Sequence, residues 1–167
     1  MITIISGTDR QGSNSLKIAK TYLKLLTEKE IPAQILSLEE HEVYLKNKAF
    51  IKMELDFLIT AEKFIFIIPE YNGSYPGILK LLIDNSDIPK CWVNKKALLT
   101  GVASGRAGNL RGMEHFTGSL MHIKMHVHPN RLPISSVHTL LDEAGNLNDE
   151  TTIKLITTQL EEFLAQK

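Results

Sequence analysis

Lys63-Phe64-Ile65-Phe66-Ile67-Ile68-Pro69-Glu70-Tyr71-Asn72-Gly73-Ser74-Tyr75-Pro76-Gly77-Ile78-Leu79-Lys80 reads in turn as a strand, a loop and the start of a helix. The unbroken apolar run from Phe64 to Ile68 has no polar alternation. A strand of that kind is buried on both faces, as in a parallel sheet covered by helices. Pro69, Asn72, Gly73 and Pro76 are turn formers that end it. Gly77 to Asn85 then carries Ile78, Leu79, Leu81, Leu82 and Ile83, a helix apolar nearly all round.

The same alternation continues outward in both directions. Upstream, Ile2 to Ser6 is a short β-branched strand, and Ser13 to Lys29 a helix with Leu16, Ala19, Leu23 and Leu26 on one face. Ala33 to Leu38 is a second strand, and Asn47 to Thr60 a helix with Ile51, Leu55 and Leu58 along one side. Downstream come a strand over Lys95 to Ser104, a helix over Gly108 to Met121, and a fifth strand over Lys124 to Pro129 or somewhat beyond. Glu150 to Ala165 is a closing helix with Ile153, Ile156, Leu160, Phe163 and Leu164 inward; Pro129 to Asp149 reads as a plain surface connection. The pattern predicts an α/β, flavodoxin-like three-layer sandwich. Its five-stranded parallel sheet has the order 2-1-3-4-5, with helices on both faces. At 167 residues the chain suits a single domain over 1–167, since domains run to roughly 100–200 residues.

In such a sheet, ligands sit beyond the carboxyl ends of the strands where the strand order reverses, here between the first and third. The loop after the first strand, Gly7-Thr8-Asp9-Arg10-Gln11-Gly12-Ser13-Asn14-Ser15, combines hydroxyls, amides, one arginine and a helix start. That is an anion site in the making. It is not a nucleotide triphosphatase loop, because Ser13 stands where the lysine must be, and Asp9 breaks the dinucleotide fingerprint. No cysteine lies in it to act as a phosphatase nucleophile. A monophosphate remains. Tyr71 and Tyr75 in the loop after the third strand offer faces for a flat heterocycle. Ser104-Gly105-Arg106-Ala107-Gly108 after the fourth allows close backbone approach. Phosphate, flat ring and close backbone together specify FMN.

These residues resemble a known family. Residues 7–15 are similar to a G-S-x-R-x-x-S-x-N phosphate loop. Residues 69–80, with Asp84 following, resemble the P-E-Y-N-x-S-x-P-x-x-L-K…D signature of NAD(P)H-dependent FMN reductases, a family with azoreductase and quinone-reductase relatives. The resemblance spans residues 1 to about 125. It implies that Thr8, Arg10, Ser13, Asn14 and Ser15 surround the FMN phosphate. Pro69, Glu70, Tyr71 and Asn72 line the ring and ribityl chain, largely through backbone, and Ser104, Gly105 and Gly108 border the ring's other edge. The family also implies subunit pairing, as a homodimer or homotetramer, through the helix at Gly77 to Asn85. NAD(P)H then serves as cosubstrate, hydride passing to the bound FMN and on to a free flavin, a quinone or an azo compound in ping-pong fashion. No catalytic side chain is required, because the flavin carries the chemistry. Asp9 beside the phosphate loop, and the lack of a double glycine at Ser104-Gly105-Arg106-Ala107, are departures from the family pattern.

Composition narrows the alternatives. Lys plus Arg equal Asp plus Glu at 19 each, which disfavours a nucleic-acid binder and a strongly acidic flavodoxin-type electron carrier. A flavin-binding regulatory protein without efficient turnover is the other alternative. The lone Cys91 excludes an internal disulfide and fits a reducing, cytoplasmic setting; Cys91-Trp92 reads as core or pocket wall. The opening residues lack a signal-peptide pattern, and no apolar run approaches the about 20 residues of a membrane span. His122, His126 and His128 cluster, but no thiolate or carboxylate accompanies them locally, so no metal site is expected.

Overall fold

The computed structural model describes residues 1–166. Its elements in chain order are β1 (Ile2–Ser6), α1 (Asn14–Glu28), β2 (Ala33–Ser37), α2 (Lys48–Met53), β3 (Lys63–Pro69), α3 (Gly77–Asn85), α4 (Ile88–Cys91), β4 (Lys96–Val102), α5 (Leu110–His122), β5 (His126–Val127), β6 (Leu132–Ile134) and α6 (Glu150–Ala165). The sheet order is β2-β1-β3-β4-β5, all parallel, with β6 also on β4.

Residue parity along the central strands divides two cores. Phe64, Phe66 and Ile68 of β3, with Ala97 and Leu99 of β4, pack on the α2, α3 and α5 side. Ile65, Ile67, Leu98 and Val102 pack with Ile18, Tyr22 and Leu26 of α1 and Ile156, Leu160 and Phe163 of α6. This is the three-layer arrangement that uninterrupted apolar strands require, since each exposes an apolar row on both faces. Among the described residues no helix is long and apolar enough to cross a membrane.

Four details differ from the periodicity. The fifth strand is broken: β5 pairs with Lys96 and Ala97, and β6 with Thr100 to Val102, so two short pieces share one edge. Segment 129–149 is therefore no plain surface connection, since it supplies β6 and a 3-10 turn at Val137–Thr139 that buries Val137. In α1 the buried stripe is Ser15, Ile18, Ala19, Tyr22 and Leu26, while Leu16 and Leu23 flank it. Beyond α2 the chain runs on as a π-helix over Glu54–Ile59. Its wider turn breaks the 3.6-residue stripe: Leu55 faces solvent, as does Ile51 in α2 before it, while Phe50, Met53, Glu54 and Leu58 are buried. On α3, Ile78, Leu79, Leu82 and Ile83 are buried, and Leu81 and the Lys80–Asp84 ion pair lie outward.

The α1–α6 face holds a buried polar network at mid-sheet. The Tyr22 hydroxyl donates to Gln159 Oε1 at 2.6 Å and lies 2.7 Å from Thr100 Oγ1. Gln159 Nε2 donates to the carbonyls of Leu99 (3.1 Å) and Asn130 (2.8 Å). Burial pushes the Tyr22 phenol far above its ordinary range, so it remains a donor. Tyr22→Phe removes one member and leaves its partners under-satisfied, with an expected cost of about 1–3 kcal/mol. Urea unfolding followed by circular dichroism checks this as a lower midpoint with an unchanged slope.

Candidate functional site

The parallel register brings the loops after β1, β3 and β4 to one edge. Gly7 N–H donates to Ile67 O (2.9 Å), and Glu70 N–H to Val102 O (3.0 Å), which ties the three loop roots together. Beyond them lies an open cavity of about 220 Å³ lined by Thr8, Arg10, Gly12, Ser13, Asn14, Ser15, Pro69, Glu70, Tyr71, Val102, Ala103, Ser104 and Val137. A larger cleft, about 460 Å³, follows the flank of α1 past Lys17, Lys20 and Lys24 to Asn146. It lies beside the helix and not at the strand ends, so the smaller cavity is the candidate site.

Thr8, Arg10, Ser13, Asn14, Ser15, Pro69, Glu70, Tyr71 and Ser104 from the sequence set thus share one wall system. Asn72, Gly105 and Gly108 do not line it. Asn72 is exposed in a tight turn closed by paired hydrogen bonds between Tyr71 and Ser74, at positive φ (51°). Gly105 offers its carbonyl to Ser136 N–H, and Gly108 is buried against Pro133. The N–H groups of Glu70 and Tyr71 are also spent on the fold, donating to Val102 O and Ser74 O. Arg106 does not line the cavity; its carbonyl accepts from Ser135 Oγ (2.8 Å).

Besides the Glu70 carboxylate and the Ser104 hydroxyl, the polar groups that remain on the wall are those of the β1 loop. Ser15 Oγ is buried, lines the cavity and has no hydrogen-bond partner. Asn14 and Ser15 open α1, where backbone N–H groups have no partner within the helix and the helix dipole is positive. Thr8 Oγ1 lies 2.6 Å from the Tyr71 hydroxyl and accepts from Arg10 N–H (3.2 Å). The Arg10 guanidinium lies over the Tyr71 ring, 5.7 Å from its centroid. Among the described residues Arg10 is the one cationic side chain on the cavity wall. Asp9 is turned aside, accepting from the exposed Tyr44 hydroxyl at 2.9 Å and holding that phenol above its ordinary range. An orphaned hydroxyl, orphaned N–H groups and a guanidinium around one space suit a phosphate monoester, and the Tyr71 loop forms the adjoining wall. These residues fit the FMN that the loops imply.

Ser13 caps α1 by accepting from Leu16 N–H (3.1 Å), and its own proton goes to Glu39. Sequence reasoning missed Val102, Ala103 and Val137 on the wall, and also Asn109. Asn109 is buried at positive φ (62°), and its Nδ2 donates to the carbonyls of Ile68 and Pro69, both at 3.0 Å. It clamps the end of β3 to the start of α5. An asparagine beside a glycine is the only local signal for it, since asparagine tolerates left-handed backbone.

The other marked residues lie elsewhere. Cys91 is buried, and desolvation with the nearby Glu54 carboxylate pushes its thiol up to about 12. Trp92 packs in the core with Phe64 and Phe66. His126 is exposed, whereas His128 is buried edge-on to Phe163 with Nε2 3.5 Å from Glu162 Oε2.

Residues 1–139 match the model of a family described as NADPH-dependent FMN reductase. An NAD(P)H-dependent FMN reductase of Pseudomonas aeruginosa is 35% identical over 106 residues, covering 60% of this chain and 56% of that protein. The match thus spans little more than half of the relative's length. A quinone reductase of Pseudomonas putida is 24% identical over 162 residues, 90% of this chain and 86% of its own. The fold is shared with FerB, described as a flavoenzyme NAD(P)H:(acceptor) oxidoreductase from Paracoccus denitrificans. The TM-score is 0.80 at 21% identity, over 98% of this chain and 94% of that one. With its strand order and a family match over residues 1–139, the chain belongs to the NADPH-dependent FMN reductase family.

Proposed function

We propose that the protein is an FMN-dependent NAD(P)H oxidoreductase that delivers electrons to a small acceptor: a free flavin, a quinone or an azo compound. The observation that carries this reading is the buried, unpartnered Ser15 hydroxyl at the start of α1, inside the cavity that also holds Thr8, Arg10 and Tyr71. Bound FMN supplies the hydride chemistry. The chain's part is to bind and orient. Asn14 and Ser15 N–H, Ser15 Oγ and Arg10 hold the phosphate; Pro69, Tyr71 and Ser104 flank the ring; Asn109 fixes the β3 loop that carries Tyr71. Asn72, Gly105 and Gly108 serve this site through loop shape. In this reading the two half-reactions use the one open cavity in turn. Pairing of two subunits through α3 is part of the same reading and rests on the family resemblance, since Ile78, Leu79, Leu82 and Ile83 of that helix are already buried within the single chain.

Titration with FMN, followed by steady-state NAD(P)H oxidation with added FMN, benzoquinone or an azo dye, tests the proposal. The expected result is flavin binding and many turnovers per protein that depend on the acceptor. Flavin binding with a single turnover would mark an electron carrier or regulatory protein instead, and absence of FMN binding would sink the reading.

A further inference from the structure

The loop after β2 sends a carboxylate to the β1 loop, onto Gly12 and Ser13. Glu39 Oε2 accepts from Gly12 N–H at 3.0 Å, and Oε1 accepts from Ser13 N–H (3.2 Å) and Ser13 Oγ (2.8 Å). Gln11 Nε2 adds a bond to the Glu39 carbonyl at 3.4 Å. These three donors to the carboxylate belong to the β1 loop that the sequence assigns to a phosphate, and they come from residues 26 and 27 positions away. Among the described residues Glu39 takes part in no ion pair, so its charge is met only by N–H and O–H dipoles. The next residues round the same helix start, Asn14 and Ser15, face the cavity with Ser15 Oγ unpartnered and buried.

We propose that Glu39 is an internal anion that competes with the flavin phosphate for the donors at the start of α1 and so sets how strongly that phosphate is held. This rests on the assignment of the cavity to FMN and goes beyond it. Two consequences follow from the geometry. The donors of Gly12 and Ser13 are saturated, so the phosphate is left with Asn14, Ser15, Thr8 and Arg10. In addition, a negative charge one or two residues away along the loop opposes the phosphate dianion. The residue therefore weakens binding of phosphorylated flavin specifically, and the isoalloxazine ring, which lies on the Tyr71 side, does not sense it.

The test compares FMN with riboflavin, which lacks the phosphate, on wild-type protein and Glu39→Gln. The amide keeps an oxygen acceptor for the loop N–H groups and removes the charge. FMN Kd is expected to fall about five- to tenfold, as for like charges several ångströms apart in a largely aqueous setting, while riboflavin Kd stays put. Glu39→Ala, which removes charge and contacts together, should raise the FMN-over-riboflavin preference as well. A preference that is unchanged or lower in both variants overturns the proposal, as does equal tightening of both flavins, which would mean a general change in loop shape. Inorganic phosphate provides a flavin-free probe. At matched ionic strength it should raise the melting temperature of Glu39→Gln more than that of wild type, and an equal rise in both overturns the proposal. If wild-type protein binds no FMN, the functional reading falls, and the phosphate experiment still decides the role of Glu39.

Discussion

Gly101→Ala is expected to destabilise the protein by about 3 kcal/mol or more, at the upper end of what forced overpacking costs. A Cβ built on Gly101 would stand 2.1 Å from the carbonyl oxygen of Gly108, with Met113 Cε at 3.0 Å and Asn109 Cβ at 3.2 Å. Backbone oxygen cannot step aside here. Gly101 is paired to Ile68 on one side and Pro133 on the other. Gly108 itself sits at positive φ (57°), with Pro133 Cβ only 2.6 Å from where its own Cβ would be. The loop is wedged between β4, β6 and α5, and any shift propagates to Ala103 and Ser104 on the cavity wall. Thermal unfolding checks this, with a loss of roughly 6–12 °C for a chain of this size. Gly105→Ala is the control: nothing lies within 4 Å of its Cβ position and its φ is ordinary. It should change stability by no more than about 0.5 kcal/mol. Equal stability of the two variants would show that the wedge is not as described.

The largest expected effect on the site comes from Ser15→Asp. It replaces the orphaned hydroxyl with a carboxylate inside the proposed phosphate site, where no neighbouring charge on the wall other than Arg10 would offset it. FMN affinity should fall about 100-fold, or roughly 3 kcal/mol, well below the upper-limit Coulomb term for a close pair in a low-dielectric pocket. Riboflavin affinity should change by less than about threefold, because the added charge meets no phosphate. Ser15 is buried, so the carboxylate also costs stability, a cost that its place at the helix start reduces. The first turn of α1 has no acidic residue, and an acid there interacts favourably with the helix dipole. Isothermal titration with both flavins, with circular dichroism on the same sample, decides the matter. Retained FMN affinity in a folded variant would remove Ser15 from the phosphate site.

The sheet was legible because its information is local and repetitive. The saturated runs Ile2–Ser6, Phe64–Ile68 and Ala97–Val102 have no polar face, so they can only be central parallel strands, and the helices between them follow from spacing. The edge was harder. His126–Val127 is too short to signal a strand, and Leu132–Ile134 encloses Pro133, which lacks the donor a central strand needs. The chain stays on β4 as far as His128, whose N–H donates to Ala97 O, and pairs with it again only from Leu132. Likewise Ile51, Leu55 and Leu58 fit one amphipathic stripe by spacing, yet with the π-helix from Glu54 on only Leu58 of the three is buried.

From the residues alone came the alternation of strands and helices, which suits the order β2-β1-β3-β4-β5 found here, and the hydroxyl- and amide-rich character of the β1 loop. These depend on hydrophobic period, turn formers and hydroxyls adjacent in sequence, which act over a few residues whatever surrounds them. Three-dimensional packing alone decided that Glu39 occupies Gly12 and Ser13, that Val137 closes the far wall, that Asn109 clamps β3 and that Ser15, rather than Ser13, is left with an unspent hydroxyl. Each of these joins groups far apart in the chain or depends on such a contact, and a hydrogen bond of that range has no local pattern. It exists only once the parallel register has set the strand ends side by side.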